Sequence, residues 1–279
     1  MKLLADSGST KTLWMVVNEQ GKSVCDIFTD GLNPFYQTAE SVQQTIENQL
    51  LPSLSPYPID EVYFYGAGCA FPEKNAIIAK GIQAVFPTAG IEIASDLLGA
   101  ARGLCGNDAG IVCILGTGSN SCFYENGNIV QNVSPLGFIL GDEGSGAVLG
   151  KVLVGDFLKH QMPKHLAEDF QQQFNLTPAE ILDKVYKQAF PNRFLASFTP
   201  FLKQHIEEPY CVAVLTKSFT DFFTRNIHQY DYSSQLVHCT GSIAFHFEAI
   251  LKDVAEKQGI KMGVIEQMPM NGLVRFHAK

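Results

Sequence analysis

Asp6-Ser7-Gly8-Ser9-Thr10-Lys11-Thr12, near the start of the chain, and Leu115-Gly116-Thr117-Gly118-Ser119-Asn120-Ser121, roughly a hundred residues later, are two versions of one turn. Each follows a short apolar run, Leu3-Leu4-Ala5 or Ile111-Val112-Cys113-Ile114-Leu115, and such runs read as buried strands. The chain then continues not as a helix but as a second strand, Leu13 to Val17 or Cys122 to Tyr124. It turns again at Glu19-Gln20-Gly21-Lys22 or Glu125-Asn126-Gly127-Asn128, and a third strand follows, Val24 to Phe28 or Ile129 to Gln131. A supersecondary unit written twice predicts two related lobes.

The context excludes the commoner nucleotide motifs. A P-loop opens a helix with Gly-x-x-x-x-Gly-Lys-Ser/Thr, and a dinucleotide fold opens one with Gly-x-Gly-x-x-Gly; neither string occurs in that setting here. A Gly/Ser/Thr turn can still hold phosphate. Glycine lets the backbone approach closely, successive N–H groups form an anion-binding concavity, and hydroxyls donate further bonds without adding charge. Taken alone, either turn is as readily a simple hairpin closure. Two copies in one setting, the first with Asp6 at its strand end, favour a nucleotide.

A chain of 279 residues, 46% hydrophobic and 17% charged, has the composition of a globular protein of one large or two ordinary domains. A net charge of −8 argues against nucleic-acid or anionic-membrane partners, because counterion release would oppose binding. Asp6 interrupts the first apolar residues before they could form a signal-peptide core, and no apolar run is long enough to span a membrane, so a cytoplasmic location is expected. Seven cysteines without Cys-x-x-Cys spacing read as reduced core thiols. His160, His165, His205, His228, His238 and His246 lack metal-ligand spacing and receive no role.

Ala39, Val42, Ile46 and Leu50 repeat at helical spacing, with Pro52 as the expected stop. Glu61 to Gly66 reads as a strand, Ile77 to Val85 as a helix, and Ile91 to Ala94 as a strand that delivers Ser95-Asp96 at its carboxyl end. Leu97 to Leu104 is the next expected helix. These alternations make the first lobe a mixed sheet with helices on its faces, an α/β fold. After the second copy of the turn, a helix is expected from Gly144 to about His160, then three largely helical segments across residues 164 to 228. A strand from Gln235 ends at Gly241-Ser242, a helix runs to about Gly259, Lys261 to Ile265 is a last strand, and the tail from Met268 is a final helix. The repeat places the boundary between lobes near Gly110.

In this order, Asp6 to Thr12, Asn33, Ser95-Asp96, Gly116 to Asn120, Gly141-Asp142-Glu143-Gly144-Ser145 and Gly241-Ser242 form a pattern. It resembles the sugar kinase, heat-shock ATPase and actin superfamily, and within it the BadF/BadG/BcrA/BcrD ATPase family that includes N-acetylglucosamine kinase. The resemblance implies two ribonuclease H-like lobes, residues 1–110 and 111–279, with a nucleotide cleft between them and the last helix, about 268–279, packed on the first lobe. It implies ATP and Mg²⁺ as cofactors, with Asp6 holding the ion through water. Ser9, Thr10 and Thr12 would contact the terminal phosphates, Gly116, Thr117, Gly118 and Ser119 would close from the second lobe, and Gly241 and Ser242 would meet the adenosine side.

The same resemblance makes Asp96 the catalytic base, although spacing alone favours a helix N-cap for it. Asn33, Asn120 and Asp142 are the implied sugar contacts, and Glu143 is left with helix-dipole stabilisation. One segment departs from the family. Ser134-Pro135-Leu136-Gly137-Phe138 stands where N-acetylglucosamine kinases usually read Gly-Gly-Trp-Gly-His beside the sugar. The expected function is ATP-dependent phosphorylation of an amino sugar, N-acetylglucosamine or a related N-acetylhexosamine, by a protein that can form a homodimer. Two alternatives stay open. One is an activator ATPase of the 2-hydroxyacyl-CoA dehydratase or benzoyl-CoA reductase type, with Cys113 at the activators' spacing before Gly116-Thr117-Gly118. The other is a non-catalytic sugar or nucleotide sensor.

Overall fold

The opening run forms three strands, β1 (Lys2–Ser7), β2 (Lys11–Val17) and β3 (Ser23–Asp30). A computed structural model of the chain describes residues 1–8, 10–54 and 56–278. The chain continues through α1 (Ala39–Thr45), a π-helical turn (Ile46–Leu50), α2 (Leu51–Leu54), β4 (Glu61–Gly66), α3 (Pro72–Val85), β5 (Gly90–Ser95) and α4 (Asp96–Cys105). The second copy begins with β6 (Gly110–Leu115), β7 (Ser119–Glu125) and β8 (Asn128–Val133). Helices α5 (Gly137–Leu140), α6 (Gly146–Leu158), α7 (Lys164–Phe174), α8 (Pro178–Tyr186), α9 (Pro191–Ala196), α10 (Thr199–Gln204) and α11 (Pro209–Arg225) follow. The chain closes with β9 (Val237–Thr240), α12 (Ser242–His246), α13 (Glu248–Lys257), β10 (Met262–Glu266) and α14 (Met270–His277).

The sheets are ordered β3-β2-β1-β4-β5 and β10-β9-β6-β7-β8. Reversed, the second order is third, second, first, fourth and fifth strand of its own half, the same topology as the first. The α/β fold of two mixed sheets flanked by helices is therefore present, and the repeat seen in the turns extends to the strand order. In the first sheet β2 runs antiparallel to β1 and β3, while β1, β4 and β5 are parallel. In the second, β6 and β10 each run parallel to β9.

The chain divides into two compact units, Met1–Gly110 with Tyr124–Val130 and Met268–Lys279, and Ile111–Phe123 with Gln131–Gln267. Alternation along β1 sends side chains to opposite faces of the first sheet. Leu3 and Ala5 join a core with Val42, Ile78 and Ile82, whereas Leu4 joins Leu13, Tyr65, Met270 and Leu273 beneath α14. Leu195, Phe198, Phe201, Phe219, Phe222 and Phe223 help fill the core of the second unit. Each such side chain contributes about 1.5–3 kcal/mol on burial.

Two expectations about helices need correction. Pro52 does not end its helix, which runs on to Leu54. The π-helical turn has already broken the ordinary ladder, and the Leu51 N–H reaches back to the Ile46 carbonyl, so the missing proline donor costs little. Residues 164 to 228 hold five helices rather than three. Pro178, Pro191, Pro200 and Pro209 stand at or beside first helical positions and start new helices within what reads as continuous apolar periodicity. Among the described residues no helix is long and apolar enough to cross a membrane.

Candidate functional site

In the first unit the carboxyl ends of three parallel strands lie side by side. Ser7 is paired with Gly66, and Gly66 with Ser95, so Asp6 and Asp96 leave the sheet at nearly the same level with β4 between them. Open α/β sheets bind ligands at this edge. Asp6 is half-buried, and its carboxyl is pushed up to about 7 by burial first and by the charge of Asp96 second, against a smaller pull from Lys11. Asp6 has no hydrogen-bond or ion-pair partner among the described residues, an arrangement that calls for a cation.

Asp96 is the first residue of α4. The N-cap is Ser95, whose Oγ accepts from the Leu98 N–H at 3.2 Å, so the capping role that spacing favours for Asp96 belongs to its neighbour. Asp96 Oδ1 accepts from the Leu97 N–H at 2.9 Å, and Oδ2 has no partner among the described residues. Burial pushes this carboxyl up to about 6, although the backbone N–H groups of Leu97 and Asp96 pull it down.

The first turn is closed by the Gly8 N–H donating to the Lys11 carbonyl at 3.0 Å. Thr10 is exposed, whereas Ser9 lies outside the described residues. Thr12 is fully buried; its hydroxyl meets Ser7 Oγ at 2.7 Å and donates to the Asp30 carbonyl at 3.1 Å. Thr12 therefore holds the turn through a hydroxyl buried in this network. Ser7, whose part no local spacing announces, completes this network by accepting from the Leu32 N–H at 3.0 Å. Asn33 is buried beside it, with Oδ1 accepting from the Phe35 N–H at 3.0 Å.

The second unit builds its own strand-end site. Thr240 of β9 pairs with Ile114 of β6, so Gly241-Ser242 and Gly116-Thr117-Gly118 leave adjacent parallel strands at one end. Gly241 has φ of +107°, and a side chain there would run into the Leu115 carbonyl. Only glycine fits a backbone this close to the turn. The Gly116 and Thr117 carbonyls accept from the Gly146 and Ala147 N–H groups at 2.8 and 3.0 Å, which ties the turn to the start of α6. Ser145 caps α6 by accepting from the Val148 N–H at 3.2 Å.

Asp142, expected at the sugar, is buried against this turn: Oδ1 accepts from the Ser119 N–H at 3.3 Å, and a side chain at Gly118 would lie 3.1 Å from Oδ2. Burial pushes the Asp142 carboxyl up to about 6, with Glu143 raising it further and the Ser119 N–H and Lys151 lowering it. Asn120 is half-buried, its Oδ1 accepting from the Ser121 N–H at 2.9 Å and from Asn132 Nδ2 at 3.0 Å. Glu143 pairs with Arg225 at 2.9 Å, which ties the loop to the end of α11. Lys151 was not legible as part of this site. Its Nζ donates to the Phe138 carbonyl at 2.8 Å across the departing segment, a contact no helical spacing announces.

All seven cysteines are free, and Cys113 is fully buried in β6. Among the described residues no group of three or more His, Cys, Asp and Glu side chains could hold a metal ion. The Asp6 carboxylate nonetheless fits Mg²⁺, which takes one or two carboxylates, keeps several waters and completes its shell with substrate phosphates.

Over its full length the chain is similar to the putative N-acetylglucosamine kinase of Porphyromonas gingivalis, with 46% identity, a TM-score of 0.96 and coverage of 100% of this chain and 99% of that one. It shares its fold with the putative N-acetylglucosamine kinase of Chromobacterium violaceum, at 16% identity and a TM-score of 0.77 over 99% and 98% of the two chains. The ROK family glucokinase of Streptomyces griseus, solved with glucose and AMPPNP, has the same fold at 15% identity and a TM-score of 0.64 over 98% and 97%. No family model matches the chain, and no curated protein matches it. The first of these likenesses, close to half identical from end to end, is that of a family, and the chain belongs to the N-acetylglucosamine kinase-like sugar kinases of the actin-like ATPase fold.

Proposed function

We propose that the protein is an ATP-dependent kinase that transfers the γ-phosphoryl group to a hydroxyl of an amino sugar, N-acetylglucosamine or a related N-acetylhexosamine, in the cytoplasm. The observation that carries this reading is the Asp96 carboxylate, half-buried at the carboxyl end of β5 with a pKa raised to about 6 and one oxygen unengaged among the described residues. A base of that pKa is ionised at neutral pH yet basic enough to take a proton in the transition state.

In this mechanism Asp96 Oδ2 accepts the proton of the attacking hydroxyl as its oxygen bonds to the γ-phosphorus. The bond from that phosphorus to the bridging oxygen breaks, and ADP leaves with the electron pair. Oδ1 stays on the Leu97 N–H, which fixes the carboxylate plane. Mg²⁺, held by Asp6 and water, would neutralise charge developing on the phosphates. Thr10 and the backbone of Gly8 are the proposed phosphate contacts of the first unit. Gly116, Thr117, Gly118 and Ser119 are those of the second, with Gly241 and Ser242 for the adenosine side. Asn33, Asn120 and Asp142 remain the proposed sugar contacts.

The test is ADP release across N-acetylglucosamine, N-acetylmannosamine, N-acetylmuramic acid, glucosamine and glucose. Strong stimulation by an N-acetylhexosamine is expected. Basal release with every sugar would overturn the proposal.

A further inference from the structure

Next to Asn33 the first unit exposes an aromatic ring that its core does not use. Phe35 is 53% exposed, and Phe71, at the start of α3, is exposed to the same extent. The backbone that carries Phe35 is nevertheless anchored. Its backbone N–H donates to Asn33 Oδ1 at 3.0 Å, the Asn33 N–H donates to Gln37 Oε1 at 2.8 Å, and Lys74 Nζ sits 4.5 Å from the ring centroid. Gly68, with φ of +84°, lets the backbone pass beneath this pair; a side chain there would lie 2.7 Å from Asn33 Oδ1 and 2.9 Å from Phe35 Cδ2. The asparagine amide and the backbone of Phe35 are thus fixed relative to each other. With Oδ1 engaged, Asn33 Nδ2 has no partner among the described residues.

The same turn reaches towards the candidate base. Cys69 follows Gly68, its N–H donates to the Gly66 carbonyl at 3.1 Å, and Gly66 pairs with Ser95, the residue before Asp96. Asn33, Phe35, Gly68, Cys69 and Asp96 therefore form one neighbourhood. A buried amide with a spare donor beside an exposed ring is a pairing suited to a pyranose. The amide reads a hydroxyl, and the ring packs on the C–H face left by equatorial substituents.

We propose that Phe35 is a platform for the acceptor sugar, stacking on an uninterrupted C–H face of a hexopyranose while Asn33 Nδ2 donates to one of its oxygens. The inference rests on the sugar kinase reading and adds a specificity-determining residue to it. The substrate class it selects is a hexopyranose whose stacked face carries no axial hydroxyl.

The experiment compares wild type, Phe35→Ala and Phe35→Trp with whichever panel sugar wild type phosphorylates fastest. Phe35→Ala is expected to raise KM for the sugar about five- to tenfold, with kcat and KM for ATP within about twofold of wild type. Phe35→Trp is expected to restore the sugar KM. If wild type turns over a sugar and Phe35→Ala has an unchanged KM for it, the platform is overturned and the kinase reading stands. If wild type turns over none of the panel, both fall. An equal loss of ATP affinity, or failure of Phe35→Trp to recover, would mark a structural role and also overturn the platform.

Discussion

Asp6 and Asp96 stand at the carboxyl ends of β1 and β5 with one strand between them, and the charge on Asp96 helps push the Asp6 carboxyl up to about 7. Two strand spacings separate their backbones by roughly 10 Å, close enough for repulsion to be felt where water is excluded. Both carboxyls lie above their ordinary value of 3.8, and burial is the larger cause for each. Neither is arranged for the stability of the protein alone.

That cost has a definite pH dependence. For a carboxyl whose folded pKa is raised, the two states do not differ below the unfolded pKa. Folding is then disfavoured progressively as pH rises to the folded value. Asp6 should therefore destabilise the protein increasingly between about pH 4 and pH 7 and fully above that. Asp6→Asn, measured without Mg²⁺ or nucleotide, should raise Tm at pH 8 by about 3 °C and leave it unchanged at pH 4. Thermal unfolding across this range checks the prediction; a lower Tm for the variant at pH 8 would contradict it.

As the proposed base, Asp96 should govern turnover rather than binding. With a base of pKa about 6, kcat/KM should rise with pH up to that value and level off above pH 7. Asp96→Asn should lose roughly 10²- to 10⁴-fold in kcat while keeping its affinity for ATP. Initial rates over a pH series, together with calorimetric titration of ATP into the variant, separate the two effects. A variant with wild-type turnover would remove Asp96 from the mechanism.

Much of this site was legible because its determinants are local. A strand followed by a Gly/Ser/Thr turn specifies a strand-end concavity, and one strand ending in Ser95-Asp96 delivers a carboxylate to the same edge. The unreadable parts depend on partners distant in sequence. Local spacing does not show that Asp30 and Ser7 engage the Thr12 hydroxyl, or that Arg225 reaches Glu143. Pro52 reads as a stop because spacing says nothing of the π-helical turn before it. Asp142 was picked out from its motif, yet its position against Gly118 and Ser119 follows from the loop that carries it back to the turn.

Gly241 makes a claim about the second turn that substitution can check. A methyl group there would meet the Leu115 carbonyl, and φ of +107° is strained for any side chain. Gly241→Ala should destabilise the protein by about 1–3 kcal/mol and displace Gly116 to Gly118. The expected result is a lower Tm together with a raised KM for ATP and a sugar KM close to wild type. A variant with unchanged Tm and ATP kinetics would show that this close approach is dispensable.

The last prediction concerns His277, which fastens α14 to the first sheet. Arg102 donates to the Tyr65 hydroxyl at 2.8 Å, and the same hydroxyl meets His277 Nε2 at 2.8 Å, a contact that a neutral imidazole makes in either tautomer. Burial first, and then the charges of Arg102 and Lys2 against the opposing pull of Glu92 and Glu61, bring the imidazole down to about 4 from its ordinary 6.5. A histidine with a lowered folded pKa contributes stability that is present above the unfolded pKa and lost as pH falls towards the folded one. The advantage of wild type over His277→Phe should therefore be full at pH 8, at about 1–3 kcal/mol for the orphaned Tyr65 hydroxyl, and should shrink between pH 6.5 and pH 4. Taking the difference between the two proteins cancels the opposite trend from Asp6 and Asp96. Urea unfolding at pH 8, 6 and 4.5 measures it, and a difference independent of pH would mean that the imidazole is not held neutral by this network.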